Sequence, residues 1–377
     1  MAEPAIQEHS PAPPAQSTPI ELRGMTAELL AAMVAELGQP RYRTDQLLHW
    51  LYKVRVDRLS AMTNLSLKLR AELGERCQVD VLALERETAD AAGTRKLLWR
   101  CSDGAAIESV LMAQSDADRS TLCISSQVGC PLGCTFCLTA TMGLRRHLRA
   151  AEIVEQVVLA ERLSGERMQT IVFMGMGEPL ANFDNVSRAI EILTDTHCAG
   201  YSPRRITVST AGVVPGIDKL GASMLDVNLA VSLNAPLDDL RRELMPIARR
   251  YELAELVAAM RRYPLKPGQR ITVEYVLLAG VNDELSLADQ TARLLRGIAC
   301  KINLIPLNEA EGIPFRRPGS AVVLAFQERL RAAGYHAFIR ESKGREIRAA
   351  CGQLATEAGA GRRVIAASML APGSRGD

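Results

Sequence analysis

The sequence has almost no surplus of charge, no long apolar run and few cysteines for its length. Its 377 residues carry 45 basic and 43 acidic side chains, a formal net charge of +2. A strongly basic domain would indicate a nucleic-acid partner through its overall charge, so any such contact here must use local patches. No stretch reaches the roughly 18 apolar residues of a transmembrane helix, and the first residues lack the pattern of a secretory signal. We therefore expect a cytoplasmic protein without a membrane partner.

Nine cysteines in a chain of this length are too sparse for a disulfide scaffold. In a reducing compartment their thiols are available for metal ligation or catalysis, so their spacing is more informative than their number. The hydrophobic content of 47% is enough for one large core, and the length suggests two or three structural units.

The pattern of apolar residues changes three times along the chain. A tract rich in Pro, Ala and Ser is followed by helical spacing to about residue 77, which predicts three short helices. Short strands are then predicted at 79–84, 96–101 and 106–112, with Ser102-Asp103-Gly104 as a hairpin turn. The predicted organisation is a disordered tail (1–20), a small N-terminal helical domain (21–78), a β-hairpin linker (79–117), an α/β domain (118–356) and a C-terminal tail (357–377).

Strands and helices alternate in the remainder of the chain. Apolar runs occur at 122–125, 170–174, 206–210, 227–233, 271–278 and 302–307, separated by amphipathic stretches. Six successive βα units predict a parallel sheet covered by helices, either a doubly wound layer or a curved barrel. Both architectures place the active site at the carboxyl ends of the strands.

Three cysteines follow the first of these strands in a C-x3-C-x2-C loop. Cys130, Cys134 and Cys137 are interrupted by glycines that let the backbone wrap a compact inorganic core. Three thiolates leave one iron of a cubane cluster free, and that iron can chelate S-adenosylmethionine (SAM) and pass it an electron. The alternative is a structural zinc site, which would have to recruit Cys123 or a distant histidine as its fourth ligand.

This loop, with Phe136 before its last cysteine, resembles the radical SAM superfamily. Wider stretches resemble one family within it, the adenine-C2 RNA methyltransferases called RlmN, from about residue 21 to residue 354. The segments that carry the likeness are 123–130 (CISSQVGC), 173–179 (FMGMGEP), 208–210 (VST) and 349–354 (AACGQL). The resemblance implies an α/β fold with a partial (βα)6 barrel, one [4Fe-4S] cluster and two SAM molecules per turnover.

The resemblance also implies a substrate and a set of roles. The enzyme would methylate C2 of a specific adenosine in 23S rRNA and of an anticodon-loop adenosine in tRNA. Cys351 would carry the methyl group to the base, Cys123 would close a disulfide on Cys351 to release the product, and Glu108 would accept a proton. The residues expected to line the SAM pocket are Gly177, Glu178, Ser209, Ser232, Leu233, Asn234 and Asn308.

Two positions depart from the family pattern, since Asn234 replaces an expected histidine and Lys343 an expected arginine. Basic and aromatic residues that could contact RNA occur in three places. They are 41–46 with Trp50, Tyr52 and Lys53; Arg145, Arg146 and His147; and Arg345 with Arg348.

Two rival functions stay open from the sequence. One is the related adenine-C8 methyltransferase, which shares the cluster, the methyl-carrying cysteine and the fold. The other is a non-catalytic RNA-binding protein with a structural metal site. For the enzyme we expect a low-potential electron donor of the flavodoxin or ferredoxin kind, and a monomer.

Overall fold

The computed structural model describes residues 19–112 and 120–355. The predicted tails lie outside these ranges, except that residue 20 already belongs to a strand and residue 19 precedes it. Part of the predicted linker, 113–117, is outside them as well. None of the described helices is long and apolar enough to cross a membrane.

Three helices form the N-terminal domain, as predicted: α1 (Ala27–Glu36), α2 (Tyr42–Leu48) and α3 (Leu67–Arg76). A π-helix, His49–Val54, continues α2, and short 3-10 turns lie at Leu22–Gly24 and Leu59–Ala61. The hydroxyls of Thr26 and Ser66 cap α1 and α3 by accepting backbone N–H bonds. Strands β1 (Ile20–Glu21) and β2 (Cys77–Gln78) pair in parallel, which joins the beginning of this domain to its end.

One ten-stranded sheet dominates the rest of the molecule. Its strands are β3 (Leu82–Ala89), β4 (Arg95–Cys101), β5 (Ala106–Met112), β6 (Thr121–Cys123), β9 (Thr170–Phe173), β10 (Ile206–Thr210), β11 (Asn228–Ser232), β12 (Ile271–Leu277), β13 (Cys300–Pro306) and β14 (Ala337–Ile339). A separate antiparallel pair, β7 (Gln127–Gly129) and β8 (Leu144–His147), flanks the cysteine loop.

The order of the parallel strands decides between the two predicted architectures. From β6 through β9 to β14, each strand pairs with the next strand of the sheet along the chain, without reversal. Because parallel crossovers are right-handed, an unreversed order puts the connecting helices on one side of the sheet. A doubly wound sheet requires a reversal, so this order excludes the doubly wound layer and is the order of an open α/β barrel. The six predicted parallel strands are confirmed, and β14 is a seventh, short strand that was not predicted from the sequence.

The predicted hairpin is present as β4 and β5, but it does more than link two domains. Strand β5 pairs with β6, so β3, β4 and β5 continue the barrel sheet as an antiparallel extension. Strand β3 runs to Ala89, five residues beyond its predicted end. Its outer half is polar and exposed, and this hides the alternation that marks a half-buried strand.

Helices cover the barrel and supply its outer hydrophobic core. They are α4 (Leu138–Thr141), α5 (Ala150–Ser164), α6 (Phe183–Thr194), α7 (Val214–Ala222), α8 (Asp238–Leu244), α9 (Leu253–Arg262), α10 (Leu285–Leu294) and α11 (Ser320–Ala332), with 3-10 turns at Pro179–Asn182, Pro203–Arg205 and Pro246–Arg249. Helix α5 also anchors the N-terminal domain. Its fully buried Glu155 accepts the backbone N–H groups of Val81 and Leu82 and pairs with the buried Arg23.

Candidate active site

The cysteine loop is fixed to the barrel at both ends. Cys130 donates its backbone N–H to the carbonyl of Gly143, and Thr135 donates its N–H to the carbonyl of Leu244. Gly129, at the start of the loop, has φ +79°, and a Cβ there would lie 1.8 Å from the carbonyl oxygen of Gly143. Only glycine fits this approach, because a side chain would break the strand pair that positions the first cysteine.

The three thiols of the loop affect one another electrostatically. Burial, together with the charge of Cys137, raises the pKa of Cys130 to about 12. Burial raises the pKa of Cys134 well above its ordinary value, and neighbouring Cys137 and Cys130 add to this rise. Such thiols lose their protons only when a positive centre binds them, so the donor set fits an iron-sulfur cluster. Within the described ranges, no three His, Cys, Asp or Glu side chains are grouped so that they could hold a single metal ion, as the zinc alternative would require.

The glycine-rich turn after β9 packs directly against the strand that leads into the cysteine loop. Gln127 Oε1 accepts the backbone N–H of Glu178 at 2.8 Å, and Ser125 Oγ accepts that of Met176 at 2.8 Å. Gln127 and Ser125 are both fully buried. In the sequence these residues are only part of a motif, whereas in the structure their hydrogen bonds fix the turn relative to the cysteine loop.

Gly177 in this turn tolerates no side chain. Its φ is +103°, and a Cβ would lie 2.5 Å from the Cβ of Gln127. We expect Gly177→Ala to lower the free energy of unfolding by about 2–5 kcal/mol, from overpacking and left-handed backbone strain together. Chemical denaturation measures this change.

Gly165→Ala is the matched control for that substitution. Gly165 also has a positive φ, +73°, but no atom lies within 4 Å of the position of its Cβ. Only the backbone strain applies there, a cost of about 1–2 kcal/mol. Equal losses in the two variants would show that the close contact with Gln127 has no energetic weight.

Glu178 is buried at the carboxyl end of β9. Its two carboxylate oxygens accept backbone N–H groups, Oε1 from Leu180 at 3.0 Å and Oε2 from Ala211 at 2.8 Å. Burial raises its pKa to about 7 despite these bonds. A carboxylate held in this way retains lone pairs for a cationic ligand, whose ammonium would favour the ionised form.

The other expected pocket residues lie on neighbouring strand ends. Ser209 is on β10, Ser232 ends β11, and Leu233 and Asn234 follow it. Asn234 has φ +59°, a left-handed conformation that asparagine tolerates well. Its Oδ1 accepts the backbone N–H of Val276 at 2.7 Å, and its Nδ2 contacts the sulfur of Met245 at 3.1 Å. The amide of Asn234 therefore braces strand ends, and its backbone carbonyl accepts a hydrogen bond from Asn282 Nδ2 at 2.8 Å.

Arg241, a fully buried side chain on α8, was not predicted from the sequence. Its guanidinium donates to the carbonyls of Ala211 and Leu233, and thereby links the ends of β10 and β11. Burial lowers its pKa to about 10, while the neighbouring Cys134 acts in the opposite direction. An arginine in a short helix rich in charged residues is usually solvated, so no pattern in the sequence indicates this role.

Cys351 is brought to the cysteine loop from the far end of the described chain. The backbone carbonyl of the next residue, Gly352, accepts the N–H of Leu138 at 2.8 Å, and the carbonyl of Leu354 accepts the hydroxyl of Thr139 at 2.6 Å. Asn308 Nδ2 donates to the carbonyl of Cys351 at 3.1 Å. The C-terminal turn is thus docked on the helix that immediately follows Cys137.

Cys351 lies close enough to both Cys137 and Cys123 for electrostatic interaction. Its side chain is exposed, yet surrounding protein raises its pKa to about 11, and Glu274 and Cys137 add to the rise. Cys123 is buried, and burial followed by the charge of Cys351 raises its pKa strongly. The structure therefore brings Cys351 near Cys123 and Cys137, from which the sequence separates it by more than 200 residues.

Glu108 lies on β5 and is buried, not solvated. Its carboxylate pairs with the ammonium of Lys96 at 3.1 Å and accepts the N–H of Ala355 at 3.1 Å. Burial raises its pKa, and Lys96 opposes the rise. This carboxylate therefore lies beside the C-terminal turn that carries Cys351.

One polar atom at the strand ends has no protein partner. Asn308 Oδ1 is buried and accepts no hydrogen bond from any described residue. A buried acceptor left in this way is costly, so a bound ligand with a donor group would satisfy it. Together with Glu178, it fits the polar end of SAM.

The predicted RNA patches are only partly exposed. Arg41 and Tyr42 lie on the surface, but Tyr52 is buried and its hydroxyl donates to the carbonyl of Arg23. Arg146 pairs with Asp103 and Glu152, so its charge is already compensated. The sequence pattern alone does not show these partners, which bury the ring of Tyr52 and compensate the charge of Arg146.

Comparisons with known proteins match both parts of the chain. Residues 124–289 match the model of the radical SAM superfamily, and residues 20–79 match that of the ribosomal RNA large subunit methyltransferase N-terminal domain. A solved radical SAM methyltransferase from Sphaerobacter thermophilus is 47% identical, with a TM-score of 0.86. The alignment covers 89% of this chain and 99% of that one.

Two curated relatives carry the same name, dual-specificity RNA methyltransferase RlmN. The protein from Geobacter sulfurreducens is 48% identical over 89% of this chain and 92% of its own length. The protein from an Anaeromyxobacter species is 47% identical over 93% of this chain and 94% of its own length. The predicted family and its cofactors, a [4Fe-4S] cluster and two SAM molecules per turnover, are confirmed. The chain belongs to the RlmN family and is a SAM-dependent RNA methyltransferase of the radical SAM superfamily.

Proposed function

We propose that this enzyme methylates C2 of one adenosine in 23S rRNA and of an anticodon-loop adenosine in tRNA, in the cytoplasm. The observation that supports this most is the docking of the Cys351 turn on the cysteine loop, beside Cys123. The names of the relatives describe dual-specificity RNA methyltransferases, in agreement with two RNA substrates. As an electron source we propose a flavodoxin-like or ferredoxin-like donor, and for the enzyme a monomeric state.

We assign the cluster to Cys130, Cys134 and Cys137. Gly177, Glu178, Ser209, Ser232, Leu233, Asn234 and Asn308 would line the SAM pocket. When bound, the cluster and SAM supply a methyl group and a 5′-deoxyadenosyl radical. Such chemistry is needed because C2 of adenine is not nucleophilic enough for direct displacement on a sulfonium. The residues of the chain then have to hold the methyl group, the base and one proton.

Cys351 holds the methyl group as a thioether. The methyl carbon gives up one hydrogen atom to the 5′-deoxyadenosyl radical and joins C2 of the base, which leaves one unpaired electron on the ring. Glu108 takes the proton from C2, because burial raises the pKa of its carboxyl group and so makes the carboxylate a stronger base. The unpaired electron would pass to the bound cluster. The Cys123 thiolate then attacks the sulfur of Cys351. A sulfur-sulfur bond forms, the sulfur-carbon bond breaks, and its electron pair remains on the base, which takes a proton and leaves methylated. A reductant must reopen the disulfide before the next turnover.

The division of the chain follows the same proposal. Residues 21–78 would act as an RNA-binding accessory domain, 79–117 as the hairpin segment that carries Glu108, and 118–356 as the catalytic barrel. The tails, 1–20 and 357–377, have no assigned role. The exposed Arg41 and Tyr42 are the strongest RNA-contact candidates in the first of these segments.

Nucleoside analysis tests the position of methylation. Reconstituted enzyme is incubated with SAM, reductant and an anticodon stem-loop RNA, and the digested RNA is separated and analysed by mass spectrometry. We expect 2-methyladenosine as the new nucleoside. Formation of 8-methyladenosine would instead identify the adenine-C8 reaction, and SAM-independent binding without any methylated base would identify a non-catalytic RNA-binding protein.

A further inference from the structure

The floor of the barrel, opposite the active site, has a basic pocket that the methyl-transfer chemistry does not use. It is a cavity of about 460 Å³. Its lining residues are Arg204, Asn228, Pro267, Gly268, Gln269, Arg270 and Lys301. These residues precede or begin β10, β11, β12 and β13, so the pocket lies at the amino ends of four adjacent strands. The seven residues of β12 separate it from the active-site end by about 20 Å.

The cations of this pocket lack compensating carboxylates. Among the residues that the structure describes, none forms an ion pair with Arg204, Arg270 or Lys301. Asp226 is nearby in sequence to the pocket wall, but it already pairs with Lys266. The acidic group that does act on Lys301 is Glu274, which is buried in the barrel wall. In a protein whose net charge is only +2, this concentration of unpaired positive charge calls for an external anion.

The shape of the pocket favours a phosphate. Arg204 and Arg270 are exposed and come from separate loops, whereas Lys301 is half-buried at the base. Two guanidinium groups at the rim can each bind phosphate oxygens in a bidentate manner, and a lysine below them adds a point charge. The Pro267–Gln269 turn is held rigid, because Gln269 Oε1 accepts the N–H of Lys266 at 2.9 Å. Little ordering would therefore be needed when an anion enters.

We infer that the floor pocket binds a backbone phosphate of the RNA substrate, at a point remote from the methylated base. The open rim suits one phosphate of a polymer better than a small enclosed anion. An RNA that fills the active site at one end of the barrel must pass around its side to reach this pocket. The contact is therefore available to long RNA substrates and out of reach of a short hairpin.

The test compares two RNAs and two pairs of substitutions. Arg204→Ala with Arg270→Ala removes the rim of the pocket. Arg188→Ala with Arg293→Ala is the matched control, since these arginines are exposed on α6 and α10 and lie outside the pocket. Binding of full-length tRNA or a long 23S rRNA fragment is measured over a range of salt concentrations, beside an anticodon stem-loop.

We expect the pocket variant to bind the long RNA about tenfold more weakly. The slope of the logarithm of its binding constant against the logarithm of the salt concentration should become shallower by about 1, as expected for one lost phosphate contact. Its affinity for the stem-loop, and its methylation of the stem-loop, should match those of the control variant. The stem-loop measurement separates this inference from the proposed function, because it reports methyl transfer to an RNA that does not reach the floor pocket. Equal losses on both RNAs, or no loss on the long RNA, would overturn the inference.

A small free anion is the alternative ligand for the floor pocket, in place of an RNA phosphate. Calorimetric titration with pyrophosphate, followed by competition against the long RNA, distinguishes the two. We expect pyrophosphate to compete with long RNA in the unmodified enzyme and to lose this effect in the pocket variant. Pyrophosphate binding that leaves the affinity for long RNA unchanged would assign the pocket to a free anion and contradict the RNA contact.

Discussion

Cys351→Ala should abolish methylation of RNA while the enzyme still folds and takes up its cofactors. The substitution removes the sulfur that we propose carries the methyl group, and the neighbouring thiol of Cys123 is buried and so is not placed to replace it. We expect a fall of at least about 10⁴-fold in the rate, which corresponds to roughly 5.5 kcal/mol of activation free energy. Transfer of labelled methyl groups from SAM to a stem-loop RNA measures this loss.

Cys300→Ala is the control for that experiment. Cys300 is a buried cysteine at the start of β13, at the end of the strand away from the active site. Its removal costs some packing, about 1 kcal/mol, but leaves the site unchanged. Cluster absorbance and SAM binding should be the same in both variants. Substantial methylation by the Cys351 variant would contradict the role of this sulfur.

Cys123→Ala should have the opposite phenotype, with RNA trapped on the protein. The first steps need only Cys351 and Glu108, so the covalent bond between protein and base still forms. Cleavage of that bond needs a thiolate that attacks the sulfur of Cys351, and Cys123 is the buried thiol that lies beside Cys351. We expect most of the enzyme to become cross-linked in one turnover, with product release slowed by about 10³-fold or more.

A denaturing gel with labelled RNA detects this adduct. The shifted band should resist thiol reductants, since it is a carbon-sulfur bond, and should disappear on digestion with ribonuclease. The double variant Cys123→Ala with Cys351→Ala is the internal control and should give no band. Multiple turnovers by the single Cys123 variant would show that another group resolves the adduct.

Local patterns predicted most of the fold. The barrel strands were found because each is a buried apolar run between helices, and the N-terminal helices because their apolar residues recur at helical spacing. Strand β14 has only three residues, too few for a pattern. The choice between a barrel and a doubly wound sheet depends on strand order, which long-range pairing determines and local sequence does not show.

Prediction of the candidate site depended on motifs and was weaker where single side chains act. The cysteine loop and the 349–354 segment are recognisable sequence motifs, and the structure places them together. Arg241 lies in no such motif, and the motif that contains Gln127 does not show its role, because both residues act through hydrogen bonds to backbone groups distant in sequence. Asn234 departs from the family pattern at a position with a left-handed backbone, which asparagine tolerates well. Only the structure reveals this conformation.

The attachment of the Cys351 turn to both Leu138 and Glu108 has a consequence for biosynthesis. A ribosome adds the cluster loop and every barrel strand before it adds the sulfur that we propose carries the methyl group. A nascent or truncated chain that ends before that turn therefore has no such sulfur with which to attach itself to RNA. The order of translation thus protects ribosomes and tRNA from covalent capture by unfinished enzyme.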